Sequence, residues 1–89
     1  MYYAVDRQKA AQVLLDLRSA RLEDRTATLA TLQRIRNEVA CEGHDQARLQ
    51  AWASIRELYD TCKAEPDADL KPLWHDAISR TMAWRESMR

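Results

Sequence analysis

The sequence predicts an all-α protein, a small bundle of three to four amphipathic helices extended by dimerisation. Three observations carry that prediction. The 89 residues include one Gly and two Pro, whereas hairpin turns and phosphate-cradling loops need Gly for positive φ or for close backbone approach. Apolar residues recur at three- and four-residue spacing along most of the chain, the period of a helix with one buried face. Hydrophobic residues make up 46% and charged residues 31%, the mix of a globular domain rather than a disordered one. At this length residues 1–89 form a single domain.

Asp6 is the expected N-cap of the first helix, because its carboxylate can accept from unpaired first-turn N–H groups. Ala10, Val13, Leu14 and Leu17 then form one apolar stripe, and the helix ends between Ser19 and Asp24. A second stripe of Leu22, Leu29, Leu32, Ile35 and Val39 is rotated from the first. It predicts a new helix capped near Thr26, with Asp24 before it. One long kinked helix over residues 7–42 is the alternative, since neither Gly nor Pro enforces the break. Gly43 falls where a helix end calls for a left-handed residue.

Asp45 caps the third helix, whose stripe is Leu49, Trp52, Ile55, Tyr59 and Cys62. Glu65-Pro66 ends it, because proline disfavours a helical residue before it. Asp69 is the next cap, with Pro72 tolerated in the first turn. The fourth helix buries Leu70, Leu73, Trp74, Ala77, Ile78, Thr81, Trp84 and Met88. The short Gly43-His44 turn predicts that the third helix folds back antiparallel on the second. So small a core is marginal in volume, and the first and fourth helices carry broad apolar arcs. A homodimer that covers part of them is therefore expected.

Charge narrows the partners. Fourteen basic side chains balance fourteen acidic ones, and the signs are interspersed. A duplex-binding domain usually shows a basic excess, because phosphate neutralisation supplies much of its affinity. Uncharged runs such as Thr26 to Gln33 are too short to span a bilayer, so no membrane association is expected. The start Met1-Tyr2-Tyr3-Ala4-Val5-Asp6 lacks the pattern of an export signal. Cys41 and Cys62 are accordingly expected as reduced thiols in a cytoplasmic protein.

Catalytic and metal chemistry find little to use. Cys41, His44, Cys62 and His75 are a zinc-compatible set by type. However, a proline-containing loop separates Cys62 from His75, and Cys62 falls on an apolar stripe. His75-Asp76 matches the dipeptide of metal-dependent phosphohydrolases, which need further His and Asp ligands spread over a longer helical domain, and this chain has only one other His. Arg34, Arg36 and Arg56 stand at the wrong distances from His44 and His75 for a helical endoribonuclease site. There is no Ser or Cys with a base on a strained turn, and no Gly-rich oxyanion loop. The expectation is a non-enzymatic protein with no cofactor and no metal.

Residues 36–52 have the layout of a helix-turn-helix, offering Asp45, Gln46, Arg48 and Gln50 to a major groove. A dimeric regulator of duplex DNA is thus the second reading, with Asp45 repelling phosphate at the point of entry. The first is a module that binds a protein or ribonucleoprotein and blocks or bridges it. Arg18, Arg21 and Arg25 would share a helical face, and arginine and aromatic residues are favoured interface anchors. The candidate anchors are Tyr2, Tyr3, Arg18, Arg21, Arg25, Trp84 and Arg85. Small helical proteins without catalytic motifs often serve as adaptors, immunity proteins or virus-encoded inhibitors of host machinery. Anti-CRISPR proteins are one such group, and the likeness is one of size and style.

Overall fold

A computed structural model describes residues 2–41 and 43–88, with side chains from residue 5 onward. Four helices follow in order: α1 (Tyr2–Ser19), α2 (Arg25–Val39), α3 (Gln46–Ala64) and α4 (Lys71–Ser87). The bundle measures 42 × 22 × 19 Å, with a Cα radius of gyration of 12.5 Å, close to the ~12 Å expected for one domain of this length.

Each break has a local cause. Asp24 is the N-cap of α2 and accepts from the Ala27 N–H at 3.1 Å, while the buried Thr28 hydroxyl donates to the Arg21 carbonyl at 2.7 Å. These two bonds divide α1 from α2 without Gly or Pro, so the single kinked helix does not form. Thr26 lies inside α2 and is not its cap. Asp6 is not a cap either: α1 begins at Tyr2 and carries Asp6 on its second turn. Asp45 caps α3 as expected, accepting from the Arg48 N–H at 3.2 Å. The α3 end is closed by the Glu65 N–H donating to the Thr61 carbonyl at 2.8 Å, with Pro66 beyond. Asp69 accepts from the Lys71 N–H at 3.1 Å from one residue before the assigned cap, Leu70, and Pro72 lies in the first turn.

Gly43 departs from expectation. Its φ is not positive, and a Cβ added there would meet nothing. A left-handed glycine serves to satisfy the last carbonyls of a helix. Here Arg48 does so from α3: its Nε–H donates to the Val39 carbonyl at 3.1 Å, and Nη2 to those of Ala40 at 3.1 Å and Glu38 at 3.3 Å.

α3 packs on both α2 and α4, and α1 packs mainly on α4 with a lesser contact to α2. Neighbours run antiparallel. The start of α4 meets the end of α1, where the Trp74 indole N–H donates to the Leu17 carbonyl at 2.6 Å. The start of α2 meets the residues just past α3, where Arg25 donates to the Ala68 carbonyl. The buried cluster draws on all four helices and includes Val13, Leu17, Leu32, Ile35, Ile55, Leu58, Ala77 and Trp84. On α3 the buried arc is Ala51, Ile55, Leu58, Tyr59 and Cys62, with Leu49 and Trp52 only half-buried at its flanks. A helix covered on two sides buries an arc wider than a single stripe, which is why Leu58 and Ala51 fall outside the predicted one.

Candidate interaction face

α1 turns its two carboxylates toward the bundle. Asp6 pairs with Arg48 of α3 at 3.9 Å, and Asp16 pairs with Arg34 of α2 at 3.1 Å. The Asp16–Arg34 contact is close in distance but not aligned as a hydrogen bond. The outer surface of α1 is left with Arg7, Arg18, Gln8, Gln12, Val5 and Leu15, all exposed. Three large hydrophobic side chains stand exposed among the described residues: Val5 at 64%, Leu15 at 58% and Met82 at 42%. Two lie on α1 and one on α4, the pair of helices whose apolar arcs are broader than one buried face requires. Arg18 joins the two helices at the surface, its Nη2 3.7 Å from the Met82 sulfur. Leu15 precedes Arg18 by one turn, and half-buried Ile78 precedes Met82 by one turn.

The predicted anchors fare unequally. Arg18 and Arg85 are exposed, on α1 and α4 respectively. Arg18, Arg21 and Arg25 do not share a helical face, because Arg18 is in the last turn of α1, Arg21 in the connection and Arg25 at the start of α2. Arg25 is half-buried and bonded to Ala68, while its other terminal nitrogen is buried without a partner among the described residues. Trp84 has no exposed surface at all and therefore offers none to a partner; it is a core residue. Tyr2 and Tyr3 belong to the first turn of α1, and their side chains lie outside the described residues. Leu15 and Met82 escaped the sequence reading, although a signal was there. Each is a large apolar residue out of register with the buried stripe of its own helix, which is where an exposed hydrophobic residue must fall.

Three of the four residues that a major groove would meet are engaged inside the fold, and Gln46 is exposed. Asp45 caps α3, Arg48 is bonded to the end of α2, and Gln50 accepts from Arg80. Among the described residues no three His, Cys, Asp or Glu side chains come together as metal ligands. Cys41 and Cys62 are both free thiols, half-buried and buried respectively. A shallow cleft of about 270 Å³ between α3 and α4 is lined by Gln50, Ser54, Glu57, Asp76 and Arg80. Its groups bond to one another: Arg80 to Asp76 at 3.5 Å and to Gln50, and the Ser54 hydroxyl to the Ala51 carbonyl at 2.8 Å. The Ser54 hydroxyl is thus bonded to a backbone carbonyl and not to the Glu57 or Asp76 carboxylate that lines the same cleft. Among the described residues no helix is long and apolar enough to cross a membrane.

Fold and surface together define a four-helix bundle with exposed Val5, Leu15 and Met82, and exposed Arg7, Arg18 and Arg85, on α1 and α4. No protein-family profile matches the chain, and neither a curated protein nor a solved structure does.

Proposed function

We propose that the chain is a non-enzymatic binding module that seats its α1/α4 face on a macromolecular partner and covers that partner's working surface. The observation that supports this reading is the gathering of Val5, Leu15 and Met82, the exposed large hydrophobics among the described residues, on those two adjacent helices. Exposed apolar groups mark an interface where they cluster, single ones being ordinary surface, and arginine is enriched at interfaces. Steric cover needs no catalytic group, which suits a blocking protein of the immunity or virus-encoded inhibitor style. Two free thiols suit a reducing, cytoplasmic setting.

The DNA-regulator reading stands behind this one, because Arg48 and Gln50 would have to leave their intramolecular partners to reach bases. A homodimer through the α1/α4 face is also disfavoured, since a two-fold axis there sets arginines against their own copies. Site-specific photo-crosslinking in lysate of the source cells tests the proposal. A photoreactive residue at Leu15 or Met82 should give a discrete adduct, and one at Asp60 on α3 should not. Equal labelling from all three positions, or none from the first two, would sink it.

A further inference from the structure

Resting on that reading of the α1/α4 face, we infer that its partner is an acidic protein segment, an amphipathic helix with carboxylates beside its apolar side chains. The whole chain is electroneutral, but this face is not. Both α1 carboxylates are held by arginines of other helices, at 3.9 Å and 3.1 Å. No carboxylate among the described residues pairs with exposed Arg7 or Arg18, and on α4 the carboxylate of Asp76 is held by Arg80 at 3.5 Å on the flank toward α3. Glu86 is the one acidic side chain beside Arg85, and it already has a contact of its own. Of the exposed acids, Glu86 and the Arg80-bound Asp76 are on α4; the others lie off the two helices, on α2 at Glu38, on α3 at Glu57 and Asp60, and in the connections at Glu23, Asp24, Asp45, Glu65, Asp67 and Asp69.

Cations and apolar groups are interspersed along the face. Along α1 the order is Val5, Arg7, Leu15, Arg18, and along α4 it is Ile78, Met82, Arg85. α1 and α4 run antiparallel, so Arg7 and Arg85 lie toward one end, while the Arg18 guanidinium reaches Met82, one turn from Arg85. A ligand helix satisfies that pattern with carboxylates set beside leucine-like residues. Guanidinium is suited to the task, since its planar fork takes a carboxylate bidentately.

Nucleic acid fits less well. A phosphate backbone presents charge evenly and nothing apolar to meet Leu15 and Met82. Among the described residues the aromatic rings at its edge are half-buried Trp74 and exposed His75, their centroids 5.0 Å apart and the planes tilted by 57°, so they form no parallel platform for successive bases. The half-buried Trp74 at its edge has its N–H committed to Leu17.

The test uses a fluorescent synthetic helix about 18 residues long, with a leucine stripe and glutamates beside it. Its matched controls are the same peptide with lysine for glutamate, a DNA oligonucleotide, and vesicles containing phosphatidylserine. In fluorescence anisotropy the full chain should bind the acidic peptide at least about tenfold more tightly than the basic one, and about tenfold less tightly on going from about 50 to 300 mM salt. The double variant Arg7→Glu, Arg85→Glu should lose the binding with an unchanged helical circular dichroism spectrum. Arg56→Glu, on α3, should keep it. Equal binding of both peptides, tighter binding of DNA or vesicles, survival of binding in the double variant, or no binding at about 1 mM would each overturn the inference. Crosslinking from Leu15 alongside failure of the acidic peptide would show that the face is used but its partner is not acidic.

Discussion

The guanidinium of Arg48 lies over the indole of Trp84, its central carbon 5.5 Å from the ring centroid. The same side chain bonds the carbonyls of Glu38, Val39 and Ala40 and pairs with Asp6 at 3.9 Å. One arginine on α3 thereby touches α1, α2 and α4. Its head satisfies carbonyls that would otherwise be orphaned at a helix end, and its cation sits on an aromatic face. Arg48→Ala should destabilise the protein by about 2–3 kcal/mol. Arg48→Lys keeps the charge but loses the planar fork, and should recover less than half of that. Urea unfolding followed by circular dichroism checks both, and an Arg48→Ala loss below about 0.5 kcal/mol would remove the residue from this role.

How much of this was open to a reader of the sequence follows from the range of each interaction. The breaks before α3 and α4 were legible because Asp45 and Pro66 act within a few residues of themselves, and that before α2 only in part, since the sequence sets its cap near Thr26 and the cap is Asp24. The end of α2 was misread at Gly43 because the group that closes it comes from the next helix. Arg48 looked like a surface base-reader for the same reason: the carbonyls, the carboxylate and the ring that hold it lie in three other segments. Trp84 was legible as core from its spacing, and offering it also as an anchor conflicted with that spacing. The face was half-visible, in Arg18 and Arg85, while Leu15 and Met82 needed the direction of each buried stripe to be known first.

The α1–α2 break rests on two polar groups, and they should be separable. Asp24→Ala removes an N-cap and should cost about 1 kcal/mol. Thr28→Val removes the buried hydroxyl's bond to the Arg21 carbonyl, which keeps the Asp24 N–H at 2.9 Å, and should cost about 1 kcal/mol. Thr26→Ala, at an exposed interior position of α2, should stay within about 0.5 kcal/mol. Thermal denaturation of the three variants decides this, and a Thr26 effect larger than that of Asp24 would restore Thr26 as the cap.

Two tryptophans bury their indoles differently. The Trp74 N–H donates to Leu17 at 2.6 Å, whereas the Trp84 N–H is buried without a partner among the described residues. Removing a polar group that has no partner forfeits little, while removing a paired donor loses its bond, here to a Leu17 carbonyl that keeps the longer contact from the Ala20 N–H at 3.3 Å. Trp84→Phe should therefore be the milder substitution on the polar account, even though Trp84 is the more deeply buried. Trp84→Ala, which empties the centre of the cluster, should cost about 3–5 kcal/mol. Comparing Trp74→Phe with Trp84→Phe by denaturant titration checks the contrast, and a larger loss at Trp84 would point to lost volume rather than hydrogen bonding.

Salt should act on the α1/α4 face in opposite senses for its two kinds of visitor. An acidic partner is drawn in by charge, so screening weakens it. A second copy of the chain brings arginine to arginine around Leu15 and Met82, so screening removes the repulsion and leaves the apolar attraction. Sedimentation at about 50 mM salt should give a monomer at micromolar concentration, with self-association rising toward about 1 M, where the Debye length falls to about 3 Å. Leu15→Ser should suppress that rise without altering stability by more than about 0.5 kcal/mol, because the side chain already faces water. A stable dimer at low salt that resists Leu15→Ser would place the self-contact on a different surface, and would leave the α1/α4 face open to its acidic partner even within the dimer.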